Sequence, residues 1–469
     1  MNEGNSHDIH AELISETFYA AVASFGLACF LCGPWLERHG PRRMTMVGAS
    51  MFFIGQMLTV LAMHLQSVPL LFIGYGAIGG FGIGCCYLIP VSVLQQWYPE
   101  SKGFSAGVAV GSFGLGSVIA SFTQAALINA MGIMNTFLVL GCTYFGLQML
   151  SALVMRFPPP DLMAAAVNAQ SGVVKTGLTP TDHPNNVPEQ PPSTSPTPHD
   201  DHAHQDGEAG GTQSSHALAA SASPEPAATA GNPEPLGALR HRRSSTALSI
   251  HTIENLDEFM QDIKSADYWF IYVIFFLAVI PGLVIVSRVA DMVQSAFLKP
   301  AATSTWVVGV NGGFNVLGRF AIGALSDKVP RFGLLMGCIV LTICVMVTMF
   351  ISLSNLMFEL FIVSMWMLTG LYGGACAVVP GIIGEVFGSK HISGLYGAAM
   401  TAWAAGGVIG GVGFTALIKG QREAGVAANH VYDLCLYSMI PLAALGAIIL
   451  TVFMIRRRKA NGGKPLQTH

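Results

Sequence analysis

Residues 33–43, GPWLERHGPRR, place four charges and two prolines between two of the most apolar stretches of the chain. The composition gives that placement its meaning. The 469 residues are 52% hydrophobic and 10% charged, with a mean hydropathy of +0.54, more apolar surface than one water-soluble core can hide. A bilayer is the solvent that suits such a chain. A charge at mid-bilayer costs about 2.5–3.5 kcal/mol on insertion scales. Glu37, Arg38, Arg42 and Arg43 therefore pin this loop in water between two spanning segments, and Gly40 permits the tight turn.

Working outward, apolar runs of roughly 20 residues, enough to cross ~30 Å of hydrocarbon, predict about eleven spans. They cover 16–36, 44–65, 68–96, 103–130, 133–156, 268–292, 303–325, 332–353, 356–387, 392–417 and 433–455. The hydrophilic exception, 158–266, holds runs such as PEQPPSTSPTPHDDHAHQDG and has too little apolar surface to fold alone. The expected organisation is a first membrane half at 1–157, a disordered linker at 158–266, a second half at 267–459 and a tail at 460–469. Bases gather on one side: Arg38, Arg42, Arg43, Lys102, Lys328, Arg331, Lys390 and Arg456–Lys459, against Lys299, Lys419 and Arg422 on the other. The positive-inside rule then puts the opening loop, the linker and the C-terminus in the cytoplasm, and with eleven spans the N-terminus outside.

An internal repeat accounts for the odd number. A gap-free shift of 290 positions superposes Gly33 on Gly323, Glu37 on Asp327, Arg38 on Lys328, Gly80 on Gly370, Gly84 on Gly374, Cys86 on Cys376, Pro90 on Pro380, Gly107 on Gly397 and Gly116 on Gly406. The halves read as parallel repeats of the kind found in transporters. The partner of the span at 268–292 falls before residue 1, so the first helix of the first half is expected to be missing through a truncated gene model, with a genuine eleven-helix protein as the alternative.

GPWLERHGPRR and its echo GALSDKVPR resemble the signature loop of the major facilitator superfamily: a glycine, an acid, a base, then a glycine and further bases. More narrowly, GIGCCYLIPVSVLQQWYPESKGFSAGVAV is similar to two consecutive helices of the oxalate/formate antiporter-like carboxylate porters, through Tyr87, Pro90, Trp97, Tyr98, Pro99, Glu100 and Lys102–Gly103. The resemblance implies an all-α polytopic membrane protein of the major facilitator fold, two parallel repeats of six helices with one absent. It also implies that the loop acid faces a helix N-terminus of the opposite half, where the dipole favours negative charge. Gly33, Glu37, Arg38, Gly40 and Arg42, with Asp327 and Lys328 in the echo, become candidates for conformational gating. Plain solvation of the loop is the alternative.

Charge inside a span usually faces a cavity. Arg319 lies eight residues before Asp327, roughly 12 Å from the loop at 1.5 Å per residue, and shares a helix face with Asn311 and Asn315 at four-residue spacing. A guanidinium can grip a carboxylate through two parallel hydrogen bonds; pairing with a helix carbonyl or a buried acid is the competing role. The family resemblance implies an arginine in this helix for the substrate carboxylate. Tyr87, Trp366, Tyr372 and Trp403 are further cavity candidates, each against simple packing. Porters for the oxalate dianion in that family carry a lysine at the position aligned with Trp403, which points here to one fixed charge and one carboxylate.

The dense glycines at 74–84 and 404–413 suit close helix packing. Arg288 and Asp291 read as a helix-end ion pair, and the nine cysteines as small buried hydrophobes. His199, His202 and His204 lie in the polar linker and are not read as a metal site, and LRHRRSST, ending at Thr246, reads equally as a phosphorylation site, a lipid patch or a plain flank. No cofactor or metal is expected, no nucleic-acid partner is suggested by the net charge of −3, and no phosphate loop or nucleophile motif points to an enzyme. The function expected is secondary transport of a small organic anion, a monocarboxylate first, by alternating access in a plasma or organelle membrane, with proton coupling left open. The alternatives are a dicarboxylate antiporter of the oxalate/formate type and a non-transporting sensor on the same scaffold.

Overall fold

In hydrocarbon every backbone amide must be satisfied within the protein, which restricts spanning segments such as these to helices or a closed barrel. The computed structural model describes residues 3–159, 257–388 and 391–460, with side chains from residue 16 onward. Among them the helices are α1 (Glu3–His39), α2 (Pro41–His64), α3 (Val68–Trp97), α4 and α5 (the two parts of Lys102–Val154), α6 (Ala266–Ala296), α7 (Ala301–Leu325), α8 (Arg331–Ser354), α9 (Phe358–Phe387), α10 (Ile392–Glu423) and α11 (Asp433–Ala460). Gly132 separates α4 (102–131) from α5 (132–154): at φ 80° and ψ 166° it takes a backbone conformation that L side chains resist. All belong to one compact unit; a second, Asn168–Thr252, lies outside the described residues. So do His199, His202, His204, Arg240–Thr246 and Lys390.

Nine described stretches are long and apolar enough to cross a membrane. The eleven helices exceed that number for two reasons. Lys102–Val154 contains two of them, and α7 is diluted by Asn311, Asn315 and Arg319. Within the segment expected as linker, the described residues 257–264 are helical, and Phe259 is buried with its ring against Gly394.

The 290-residue offset relates α1 to α7 and α4 to α10, and the two halves meet along the pairs α1·α10 and α4·α7. Lipid provides no hydrophobic drive between helices, so these seams depend on small residues that let backbones approach. A Cβ on Gly33 would sit 2.6 Å from the Ser393 carbonyl oxygen, and one on Gly397 only 2.3 Å from that of Cys29. In the other seam a Cβ on Gly107 would lie 2.7 Å from the Arg319 carbonyl, and one on Gly323 2.9 Å from Gly107 Cα. Cys29 and Arg319, like Gly397 and Gly107, are repeat-related. Side chains such as Leu27, Leu31, Leu147, Leu150 and Leu153 are exposed on the outside, as a lipid-facing surface requires.

Candidate functional site

Gly40, at φ 82°, turns the chain from α1 into Pro41 at the start of α2, and this fixes Glu37 at the end of α1. Its Oε1 accepts the backbone N–H of Gly394 in the first turn of α10, at 3.1 Å. The repeat-related Asp327 makes the stronger version: Oδ1 accepts the Gly103 N–H at 2.8 Å and Oδ2 the Phe104 N–H at 2.7 Å, at the start of α4. Each acid thus caps a helix N-terminus of the other half, where unsatisfied N–H groups and the helix dipole favour an anion. The side chains beside these acids differ. Arg331, 4% exposed, bridges Asp327 at 2.9 Å and Glu385 at 3.0 Å. On the Glu37 side His391 lies 3.7 Å from Glu37 and 3.4 Å from Glu258. Burial raises the nearby Asp262 carboxyl above its usual range, an effect that His391 opposes and Glu258 reinforces.

Between the halves, deeper in the bundle, lies a narrow, partly open cavity of about 20 Å³. Phe25, Tyr87 and Phe113 contribute from the first half; Phe275, Arg319, Cys376, Tyr396, Met400 and Trp403 contribute from the second. Arg319 is 7% exposed and donates from Nη1 to the Val110 carbonyl oxygen at 2.6 Å, while its Nε has no acceptor. No carboxylate among the described residues is within ion-pair distance of it. A Cβ on Gly373 would lie 3.1 Å from Arg319 Cγ, so that glycine makes room for the side chain's stem. The Tyr87 and Tyr396 hydroxyls are 3.2 Å apart, and Trp403 Nε1 donates to the Tyr372 hydroxyl at 2.8 Å. The result is an aromatic chamber with one fixed cation in its wall.

The family model described as Major Facilitator Superfamily matches residues 5–411. The chain belongs to the major facilitator superfamily. Among its relatives, the uncharacterized MFS-type transporter YhjX of Escherichia coli (strain K12) is 22% identical over 411 residues, covering 87% of this chain and 80% of that protein. The oxalate:formate antiporter of Oxalobacter formigenes is 29% identical over 126 residues, 27% of this chain and 29% of its own. Apicoplast pyruvate carrier 1 of Toxoplasma gondii is 31% identical over 94 residues, 20% and 17% of the two chains. The protein is accordingly a multi-pass membrane protein of a transporter superfamily, and it resembles the oxalate/formate antiporter group in part of its length.

Within that superfamily fold, Arg319, Tyr87 and Trp403 come together in the cavity, and Tyr372 adjoins it through Trp403. Asn311, Asn315 and Trp366 are not in its wall. Asn315 Nδ2 donates to the Thr369 carbonyl in α9 at 3.3 Å, Asn311 is buried with its side-chain oxygen unpartnered, and Trp366 stacks on Phe314 with ring centroids 5.1 Å apart. Asn315 is thus held against α9, while the longer Arg319 reaches the cavity. Gly33 packs at the α1·α10 seam. Arg38 and Lys328 are exposed, so the bases adjacent in sequence are not those that hold the acids; Arg42 instead donates to the Met155 carbonyl at 3.3 Å. Arg288 does not pair with Asp291, which is engaged by Arg422. The cysteines are all free thiols, and among the described residues no cluster of His, Cys, Asp or Glu is placed to hold a metal ion.

Sequence reasoning did not select Phe25, Phe113, Phe275, Cys376, Tyr396 or Met400. One signal was available: the 290-residue offset relates Phe113 to Trp403, and both are cavity walls.

Proposed function

We propose that this superfamily member carries a small monocarboxylate by alternating access, with Arg319 as the anchor for the carboxylate. The observation behind this reading is a buried guanidinium with an unpartnered Nε and no acid beside it, set in the wall of a narrow cavity that both halves build. A buried charge without a counter-ion is costly, and a carboxylate ligand removes that cost. Trp403 stands across a chamber otherwise lined by aromatic and sulfur-bearing side chains, which favours a short apolar tail over a second charge. Positive-inside bias sets the end bearing Glu37 and Asp327 in the cytoplasm. The acid-capped contacts at that end then act as the cytoplasmic gate, and rocking of the halves breaks them. The names of the relatives that transport oxalate, formate or pyruvate agree with a carboxylate.

A dianion such as oxalate would bring one uncompensated charge into the chamber. Proteoliposomes holding the purified chain should show saturable pyruvate or lactate uptake that oxalate inhibits weakly. Trp403→Lys should reverse the order of inhibition by supplying the second cation. Tight oxalate exchange by the unmodified chain refutes the monocarboxylate reading. Binding of a carboxylate without saturable uptake favours a sensor.

A further inference from the structure

At the end of the bundle opposite the acid-capped gate, α1, α6 and α10 converge on a second arginine. Gly411 of α10 leaves a notch, because a Cβ there would lie 2.3 Å from Tyr19 Cε1. The Tyr19 ring fills the notch, and its hydroxyl lies 3.3 Å from Thr415 Oγ1 and accepts from Arg288 Nη2 at 3.3 Å. Arg288 also donates to Thr415. No carboxylate among the described residues is within ion-pair distance of Arg288. The nearest acid on its own helix, Asp291, is occupied: Arg422 Nη2 lies 3.2 Å from both of its oxygens, and the Tyr432 hydroxyl donates to it at 2.9 Å. Two neutral hydroxyls therefore hold a charge that they do not neutralise.

Tyr19 is the only member of this cluster that belongs to the first half. When the halves part at this end, Tyr19 leaves with α1, and Arg288 keeps Thr415 but has guanidinium donors facing the opened space. A carboxylate offers a guanidinium an opposite charge and two parallel acceptors, neither of which a neutral hydroxyl supplies. Thirteen residues of α6 separate Arg288 from the cavity residue Phe275, roughly 20 Å along the helix, so this is a different site from Arg319.

We propose that Arg288 is the entry site for the substrate carboxylate at this end of the transporter, and that the Tyr19 hydroxyl displaces the carboxylate as the gate closes. The assignment rests on the carboxylate reading above. It makes the gate an exchange of partners on one guanidinium: substrate holds the gate open until it passes inward, and Tyr19 then takes its place.

The test is external pyruvate uptake in oriented vesicles at low and at physiological ionic strength, with the full chain. Arg288→Gln should raise the external half-saturation constant about tenfold, the scale of one lost charge-assisted hydrogen bond, with little change in maximal rate. It should also flatten the salt dependence of that constant. Arg288→Lys should restore most of the salt dependence, and Tyr19→Phe should lower the half-saturation constant by removing the competitor. Unchanged external saturation in Arg288→Gln, or equal weakening from both faces, overturns the proposal while leaving the Arg319 reading intact. Absence of saturable pyruvate uptake by the unmodified chain refutes the carboxylate reading, and this assignment with it.

Discussion

Asp327→Asn is the sharpest probe of the gate. The carboxylate holds two backbone donors at 2.8 and 2.7 Å, and the amide that replaces it can accept at only one oxygen. Hydrogen bonds to charged groups contribute about 1.5–3 kcal/mol each and neutral ones about 0.5–1.5 kcal/mol. The side chain is 16% exposed, so water recovers part of the loss. The net effect is about 2 kcal/mol, or roughly a thirtyfold shift away from the closed arrangement. Glu37→Gln removes the charge from one bond at 3.1 Å, worth about 1 kcal/mol and roughly fivefold. Hydrogen-exchange mass spectrometry reads both directly, because the amides of Gly103, Phe104 and Gly394 are the donors concerned. Asp327→Asn should cost the first turn of α4 about thirtyfold in protection, and Glu37→Gln should cost the first turn of α10 less. Exchange across proteoliposomes should slow in both with little change in substrate affinity. Unaltered protection at 102–107 in Asp327→Asn, or a larger effect from Glu37→Gln, refutes the gate argument.

Three further outcomes follow from the geometry. Gly397→Ala places a Cβ 2.3 Å from a backbone oxygen of Cys29 that cannot swing aside, so the α1·α10 seam should fail to close; transport should be lost in protein still present in the membrane, and protease access at the Glu37 end should rise. Tyr372→Phe frees Trp403 Nε1 from its acceptor at a cost of about 1 kcal/mol, and should raise the half-saturation constant severalfold at nearly constant maximal rate. A bound monocarboxylate neutralises Arg319, whereas the empty chamber carries its charge alone; counterflow should therefore run faster than net uptake, and equal rates contradict this.

Much of the architecture was legible in the sequence, because it rests on local chemistry and on repetition. The apolar runs marked the helices, the separate runs 103–130 and 133–156 the break between α4 and α5, and the 290-residue offset the repeat relation of α1 to α7 and of α4 to α10. Arg319 stood out because a charge within an apolar run needs a reason. What escaped depends on contacts distant in sequence. The sequence suggested Arg38 and Lys328 as the bases beside the acids; Pro330 redirects the chain so that Arg331, one helical turn beyond Asp327, reaches it, and His391 comes from the other half. Asn311 and Asn315 share the predicted face with Arg319 but do not line the cavity. Phe25 and Phe275 are aromatic residues on apolar helices, and no local pattern separates a cavity wall from ordinary core.

The central claim is that one carboxylate is held by the Arg319 guanidinium in the cavity between the halves. Pyruvate or lactate uptake should be measured in proteoliposomes bearing equal amounts of the unmodified chain, Arg319→Ala and Arg319→Lys. The account predicts saturable uptake by the first, none by Arg319→Ala, and little recovery in Arg319→Lys, because an ammonium lacks the two-pronged donor geometry. Full saturable uptake by Arg319→Ala would contradict it.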